Sequence, residues 1–221
     1  MSSAGDAPVS ARFLVVLDVD STLIEDEVIE LVADYAGVTD EVARITERAM
    51  RGELDFEGSL RSRVALLRGI ALADVDRVRE RVTVTRGVPE LVAGVHAAGG
   101  AIAVVSGGFH EVLDPLATDL ELDQWRANRF EVADGVLTGG VAGTIVGRET
   151  KRETLVAWAG ELGVPMTRTI AIGDGANDLG MMAAAALSVA FDAKPVVREH
   201  ASVSMPERDL SQVLPLLGLR G

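Results

Sequence analysis

Short apolar runs, the first three closed by polar or glycine residues, set the frame of the chain. Phe13 to Leu17 stops at Asp18, Ala101 to Val105 at Ser106, and Thr169 to Ile172 at Gly173 and Asp174; Leu187 to Ala190 leads into Phe191 and Asp192. Predominantly apolar runs of this length are expected of strands buried on both faces of a parallel sheet. Between them lie positions with helical spacing: Leu91, Val92 and Val95 closed by Gly99 and Gly100; Val112, Leu113 and Leu116; Leu155, Trp158, Ala159 and Leu162 closed by Gly163. The alternation predicts a doubly wound α/β fold built on a parallel sheet.

One stretch breaks the rhythm. From Glu25 to Arg86 the apolar sets are all helical: Val28, Ile29, Leu31, Val32 and Tyr35, then Val42, Ile45 and Met50, then Leu60, Val64 and Leu67, with Gly37, Gly52 and Gly69 as stops. The chain therefore divides into an α/β core, residues 13–24 and 87–221, and a helical insertion, residues 25–86. Between Asn128 and Val146, Asp134-Gly135 flanked by Val132 and Val136 predicts a β-hairpin. Residues 1–12 carry Asp6 and no basic segment ahead of a long apolar run, so they read as a disordered tail and not a signal peptide.

Composition narrows the partners. With 21 basic and 34 acidic residues the net charge is −13, which disfavours nucleic acid and anionic membrane surfaces. No cysteine is present, so disulfides, thiolate metal sites and thiol nucleophiles are excluded. The most apolar stretch, Met181 to Phe191, is interrupted by Ser188 and falls well short of the roughly 18 residues of a membrane span. These features fit a soluble, cytoplasmic protein.

Ligands of open α/β sheets bind beyond the carboxyl ends of the strands. There the chain places Asp18-Val19-Asp20-Ser21-Thr22, Ser106-Gly107-Gly108-Phe109 and Gly173-Asp174-Gly175-Ala176-Asn177-Asp178, with Lys151 opening the helix before the third strand. Taken singly these are ordinary: an Asp-x-Asp turn, a Ser helix cap, capping Asp and Asn residues, a solvated lysine. Together, Asp18, Asp20, Asp174 and Asp178 in one cleft need a strong countercharge. An all-oxygen donor set favours Mg²⁺, Lys151 adds a phosphate-binding cation, and backbone N–H groups around Ser106 and Gly107 suggest an anion site at a helix N-terminus.

This series of motifs resembles the phosphatases of the haloacid dehalogenase superfamily. Glu27, seven residues after Asp20, with Phe56, Arg63 and the full Ser106-Gly107-Gly108-Phe109, narrows the resemblance to the phosphoserine phosphatases. Val19 departs from the pattern where many relatives carry Phe, leaving both carboxylates in place. The resemblance implies a Rossmann-like core with an inserted helical cap, and Mg²⁺-dependent hydrolysis of O-phospho-L-serine in serine biosynthesis. It further implies Asp18 as nucleophile and Asp20 as general acid and base. Lys151, Ser106, Gly107 and Asn177 would bind phosphate, and Glu27, Phe56 and Arg63 the rest of the substrate. The metal would take Asp18, Asp174 and the Asp20 backbone carbonyl, with Asp178 in support. Two other readings suit the same residues: transfer or hydrolysis of another small phosphate ester, and a non-enzymatic Mg²⁺ or phosphate-binding module. His96, His110 and His200 read as structural or surface residues, His110 lying near the phosphate loop.

Overall fold

A computed structural model describes residues 11–50 and 53–219. The tail expected at residues 1–12 therefore lies almost wholly outside the described residues, as do Gly52 and the side chain of Met50. Seven strands, β1 (Leu14–Leu17), β2 (Ala101–Phe109), β3 (Gln124–Ala133), β4 (Val136–Ala142), β5 (Thr169–Gly173), β6 (Leu187–Phe191) and β7 (Val203–Met205), form one sheet in the order β4-β3-β2-β1-β5-β6-β7. All pairings are parallel except that of the edge hairpin β3–β4.

The strand period of two sends alternate side chains to opposite cores. Val15 and Leu17 join Ile102, Val104, Ile170 and Ile172 on one face, while Leu14 and Val16 join Ala101, Ala103, Ala171 and Ala190 on the other. Every residue of β1 is fully buried, which explains the absence of polar alternation in its sequence.

Between β1 and β2 lie α1 (Val28–Ala36), α2 (Thr39–Met50), α3 (Phe56–Ala65), α4 (Leu72–Val78) and, back on the core, α5 (Val88–Ala97). The remaining helices are α6 (His110–Asp119), α7 (Arg148–Glu161), α8 (Leu179–Ala184), α9 (Pro195–His200) and α10 (Val213–Leu216). Helices α5, α6 and α10 cover the aliphatic face through Leu91, Val95, Val112, Leu113, Val213 and Leu214. Helices α7, α8 and α9 cover the alanine-lined face, where small strand side chains leave room for Leu155, Trp158, Met181, Met182 and Val197.

In the helical segment, α1 ends at Gly37 in the left-handed region (φ 69°), and the Asp55 side chain accepts from the Gly58 N–H at 2.6 Å to cap α3. Val32, Val42, Leu60, Val64, Leu67, Val75 and Val78 are buried. The two connections to the core run side by side: the Glu25 N–H donates to Thr83 O (2.9 Å) and the Thr85 N–H to Leu23 O (3.0 Å).

Three details differ from the sequence reading. Helix α4 was not anticipated, its short Leu72, Val75, Val78 pattern being submerged among charges. Tyr35, grouped with the apolar face of α1, is 43% exposed, and its hydroxyl donates to Asp74 at 3.0 Å. Most consequentially, β2 does not end at Val105 but continues through an irregular register to Phe109, and α6 starts only at His110. Ser106 is thus no helix cap; its Oγ accepts from the Gly108 N–H at 2.7 Å within a bulged strand end. The hairpin forms where expected, with Asp134 (φ 51°) and Gly135 (φ 76°) both in the positive-φ conformation that suits a two-residue turn. Among the described residues no helix is long and apolar enough to cross a membrane.

Candidate active site

The carboxyl ends of β1, β2 and β5 meet at one cavity. Asp18 leaves β1 with extended backbone, its N–H still laddered to Ile172 O at 2.9 Å. Its Oδ1 accepts from the Val19 N–H (2.6 Å) and from Lys151 Nζ (2.7 Å). Oδ2 has Asn177 Nδ2 at 3.5 Å. Val19–Leu23 then forms a wide helical turn containing Ser21 in the left-handed region (φ 57°), and this turn carries Asp20 to the cavity. The Val28 N–H reaches Asp20 Oδ1 at 3.3 Å, and Ser21 Oγ donates to Glu27 Oε1 at 2.8 Å.

Lys151 sits in the first turn of α7 with its side chain completely buried, and its Nζ lies 2.7 Å from both Asp18 Oδ1 and Asp178 Oδ1. The second Asp178 oxygen accepts from the Gly175 N–H at 3.1 Å, so both its oxygens are engaged. Gly173 permits this, because a Cβ there would stand 2.3 Å from Asp178 Oδ2. Gly108 plays the corresponding part on β2: a Cβ would come within 3.0 Å of Ser106 Oγ and 3.1 Å of Asp20 Oδ2.

Opposite these groups, Glu27, Phe56 and Arg63 line the same cavity of about 320 Å³ together with Asp18, Asp20, Gly107, Asp174 and Asn177. Phe56 lies over the bulged strand end, its ring 3.0 Å from where a Cβ of Gly107 would be. Ser106, Lys151 and Asp178 form the buried layer behind Asp18 and the loop. The histidines lie apart: His96 contacts Asp123, His200 contacts Val196 O, and His110 bridges Asp114 and the Ala127 N–H.

One positioning residue escaped sequence reasoning. Buried Asn128 on β3 donates from Nδ2 to Gly107 O (2.8 Å) and accepts at Oδ1 from the Val146 N–H (2.8 Å), fixing the bulge from its outer side. An amide inside a predicted hairpin was the available signal.

The electrostatics are those of crowded acids. Burial, reinforced by Glu27 and Asp18, holds the Asp20 carboxyl well above the usual carboxylate range. Burial likewise raises Glu27, Asp174 and Asp178, each with help from Asp18. Arg63 is lowered by burial, against the pull of Glu27 and Asp20. Burial would discharge Lys151, but Asp178 and Asp18 outweigh it and its pKa is raised. Carboxylate oxygens of Asp18, Asp174 and Asp178 lie within 4.8 Å of one another, with a single buried ammonium among them. That excess of negative oxygen suits a hard divalent cation.

A family model for haloacid dehalogenase-like hydrolases matches residues 15–183, the segment that carries all of these side chains. The phosphoserine phosphatase of Streptomyces coelicolor is 54% identical over 209 residues, 95% of this chain, although the chain spans only 51% of that protein. That of Streptococcus thermophilus is 48% identical over 92% of this chain and 95% of its own length. Among solved structures, a phosphoserine phosphatase captured as a phospho-aspartyl intermediate analogue superposes with TM-score 0.88 at 40% identity, covering 94% of this chain and 99% of that one. A substrate-bound phosphoserine phosphatase complex gives the same TM-score, 0.88, and the same identity, 40%, over 93% of this chain and 98% of its own. With sequence and fold in agreement, the chain belongs to the haloacid dehalogenase-like hydrolases, among their phosphoserine phosphatases.

Proposed function

We propose that this chain hydrolyses O-phospho-L-serine to L-serine and phosphate through an aspartyl-phosphate on Asp18, the last step of L-serine biosynthesis. The observation that carries the reading is a single cavity with two chemically distinct walls. One wall offers an anchored carboxylate, Asp18, beside a protonation-prone one, Asp20; the other offers an Arg63 and Glu27 pair suited to an amino acid.

Asp18 Oδ1 is committed to Lys151 and the Val19 N–H, which leaves Oδ2 as the attacking oxygen. It bonds to phosphorus as the bond to the seryl oxygen breaks. Asp20, whose protonated form is favoured by burial and by the neighbouring Glu27 and Asp18, donates to that leaving oxygen. In the second half, Asp20 takes a proton from water as the water attacks phosphorus, releasing phosphate and restoring Asp18. Lys151 balances the charge of the transferring group, the Ser106 hydroxyl, Gly107 N–H and Asn177 amide orient it, and Asp178 holds Lys151 in place. Mg²⁺ held by the Asp18 and Asp174 carboxylates and the Asp20 carbonyl would supply further charge neutralisation.

Residues 25–86 act as a cap over the reacting groups. Arg63 grips the substrate carboxylate, Glu27, held by Ser21, accepts from the ammonium group, and Phe56 keeps water out. The acidic, cysteine-free composition fits a cytoplasmic enzyme that binds neither nucleic acid nor membranes.

The test is Arg63→Ala assayed with phosphoserine and with p-nitrophenyl phosphate. Loss of one partner from a desolvated ion pair is worth about 2–5 kcal/mol, so kcat/KM for phosphoserine should fall roughly 30-fold or more, and that for the ester without a carboxylate less than about threefold. Equal losses on both, or no wild-type preference for phosphoserine, would remove the substrate assignment.

A further inference from the structure

Of the 21 Lys and Arg residues only two are lysines, Lys151 and Lys194. Both lie against carboxylates of the same site. Lys151 is sealed beneath it, whereas Lys194 stands at its opening, 57% exposed, with Nζ 3.8 Å from Asp174 Oδ2. Its backbone N–H donates to Asp174 O at 3.0 Å, tying the residue to the loop after β5. The side chain lines the inner cavity and also the wider mouth, where Phe56, Arg63, Arg148 and Asn177 are its neighbours.

An ion pair so long and so exposed adds little to stability, so structural need does not account for Lys194. A local electrostatic need does. The protein carries a net charge of −13, and a phosphate monoester arrives as a dianion, so a cation is required at the opening to offset the repulsion. A lysine suits that place: a compact charge on a flexible stem can follow a phosphate group in several positions, while the forked Arg63 holds a carboxylate in one.

We propose that Lys194 is the entry cation of the site, meeting the phosphate group of the arriving ester and of the departing product outside the reacting centre. The proposal rests on the phosphate-ester reading given above. It makes Lys194 a recruiting residue with no part in bond breaking.

The experiment compares Lys194→Gln, Lys194→Arg and Lys194→Glu at saturating Mg²⁺. Ionic strength runs from about 0.01 M, where charges act over roughly 30 Å, to about 1 M, where they act over roughly 3 Å. At low salt Lys194→Gln should lower kcat/KM roughly tenfold and kcat much less, Lys194→Glu should lower kcat/KM further, and Lys194→Arg should recover most of it. The curves should converge at high salt, for phosphoserine and p-nitrophenyl phosphate alike. Independently of turnover, inorganic phosphate should slow acetylation of Lys194 by an amine-reactive ester, read by peptide mass spectrometry. The inference is overturned if Lys194→Glu leaves the salt response unchanged, if kcat falls as far as kcat/KM, or if phosphate gives no protection. It is also overturned if raising Mg²⁺ alone restores Lys194→Gln, since the lysine would then serve Asp174. Preference for phosphoserine in the wild type is a separate readout: its absence would remove the substrate assignment and leave the salt response of Lys194 standing.

Discussion

Replacing Lys151 by methionine keeps the length of the side chain and removes its charge from a completely buried position between two carboxylates, each 2.7 Å away. Removing one partner of a buried ion pair costs about 3–5 kcal/mol, against about 0.2–1 kcal/mol for an exposed pair. For a chain of this size each kcal/mol moves Tm by about 2–4 °C, so Lys151→Met should melt roughly 6–20 °C lower. Urea unfolding at pH 7 in chelator, followed through Trp125 and Trp158, gives the free energy directly. The sign with pH is also fixed. Because the folded-state pKa of Lys151 is raised, its contribution is fully present below the unfolded value of about 10.4 and is lost only as pH rises through the folded value. Wild-type stability should therefore show no Lys151 titration between pH 6 and pH 9, roughly the neutral range. In the variant, burial favours the protonated form of Asp178, so stability should recover as pH falls, and a second change, Asp178→Asn, should restore part of it at pH 7. A Lys151→Met protein within about 1 kcal/mol of wild type at pH 7 would refute the reasoning, since only a solvated pair behaves that way.

Two further outcomes follow from the same geometry. In the proposed mechanism Asp20 works first as an acid, and burial followed by Glu27 and Asp18 raises its pKa, so kcat/KM should decline as pH climbs through that raised value. Asp20→Asn should slow turnover by roughly 10²–10⁴-fold and abolish that limb, and persistence of the same limb in the variant would assign it to another group. Gly173→Ala would place a methyl 2.3 Å from Asp178 Oδ2 and 2.5 Å from its Cγ. Overpacking of this kind costs about 1–3 kcal/mol; kcat should fall with Tm as Asp178 and Lys151 are displaced, and an unchanged kcat would show that the contact is not needed.

Much of this architecture was legible because the physics is local. Strands buried on both faces must be apolar throughout, and a chain leaving such a strand turns polar at the sheet edge, which is how β1 and β5 announced Asp18 and Asp174. Asp134-Gly135 identified its hairpin because few dipeptides accept two successive positive φ angles. What escaped depends on distant partners. Strand β7 has three residues, too few for periodicity to register, and exists because β6 offers an edge. The extension of β2 to Phe109 is imposed partly by Asn128 across the sheet, while the glycines between suggested a turn. Lys194 carries no motif that singles it out in the sequence, and it is the fold that brings it beside Asp174 through the loop after β6. Glu27 and Arg63 carried no intrinsic sign of a site, since each could be an ordinary helix charge, and only the motif pattern singled them out.

The central claim concerns one oxygen of Asp18. Rapid acid quench during turnover of phosphoserine, followed by tryptic digestion and tandem mass spectrometry, reads it directly, because cleavage after Arg12 and Arg44 isolates residues 13–44 as one peptide. The account predicts a phosphoryl adduct on Asp18 that appears before free phosphate accumulates and is absent from Asp18→Asn. An adduct on any other residue, or an unmodified peptide while turnover is under way, would contradict it.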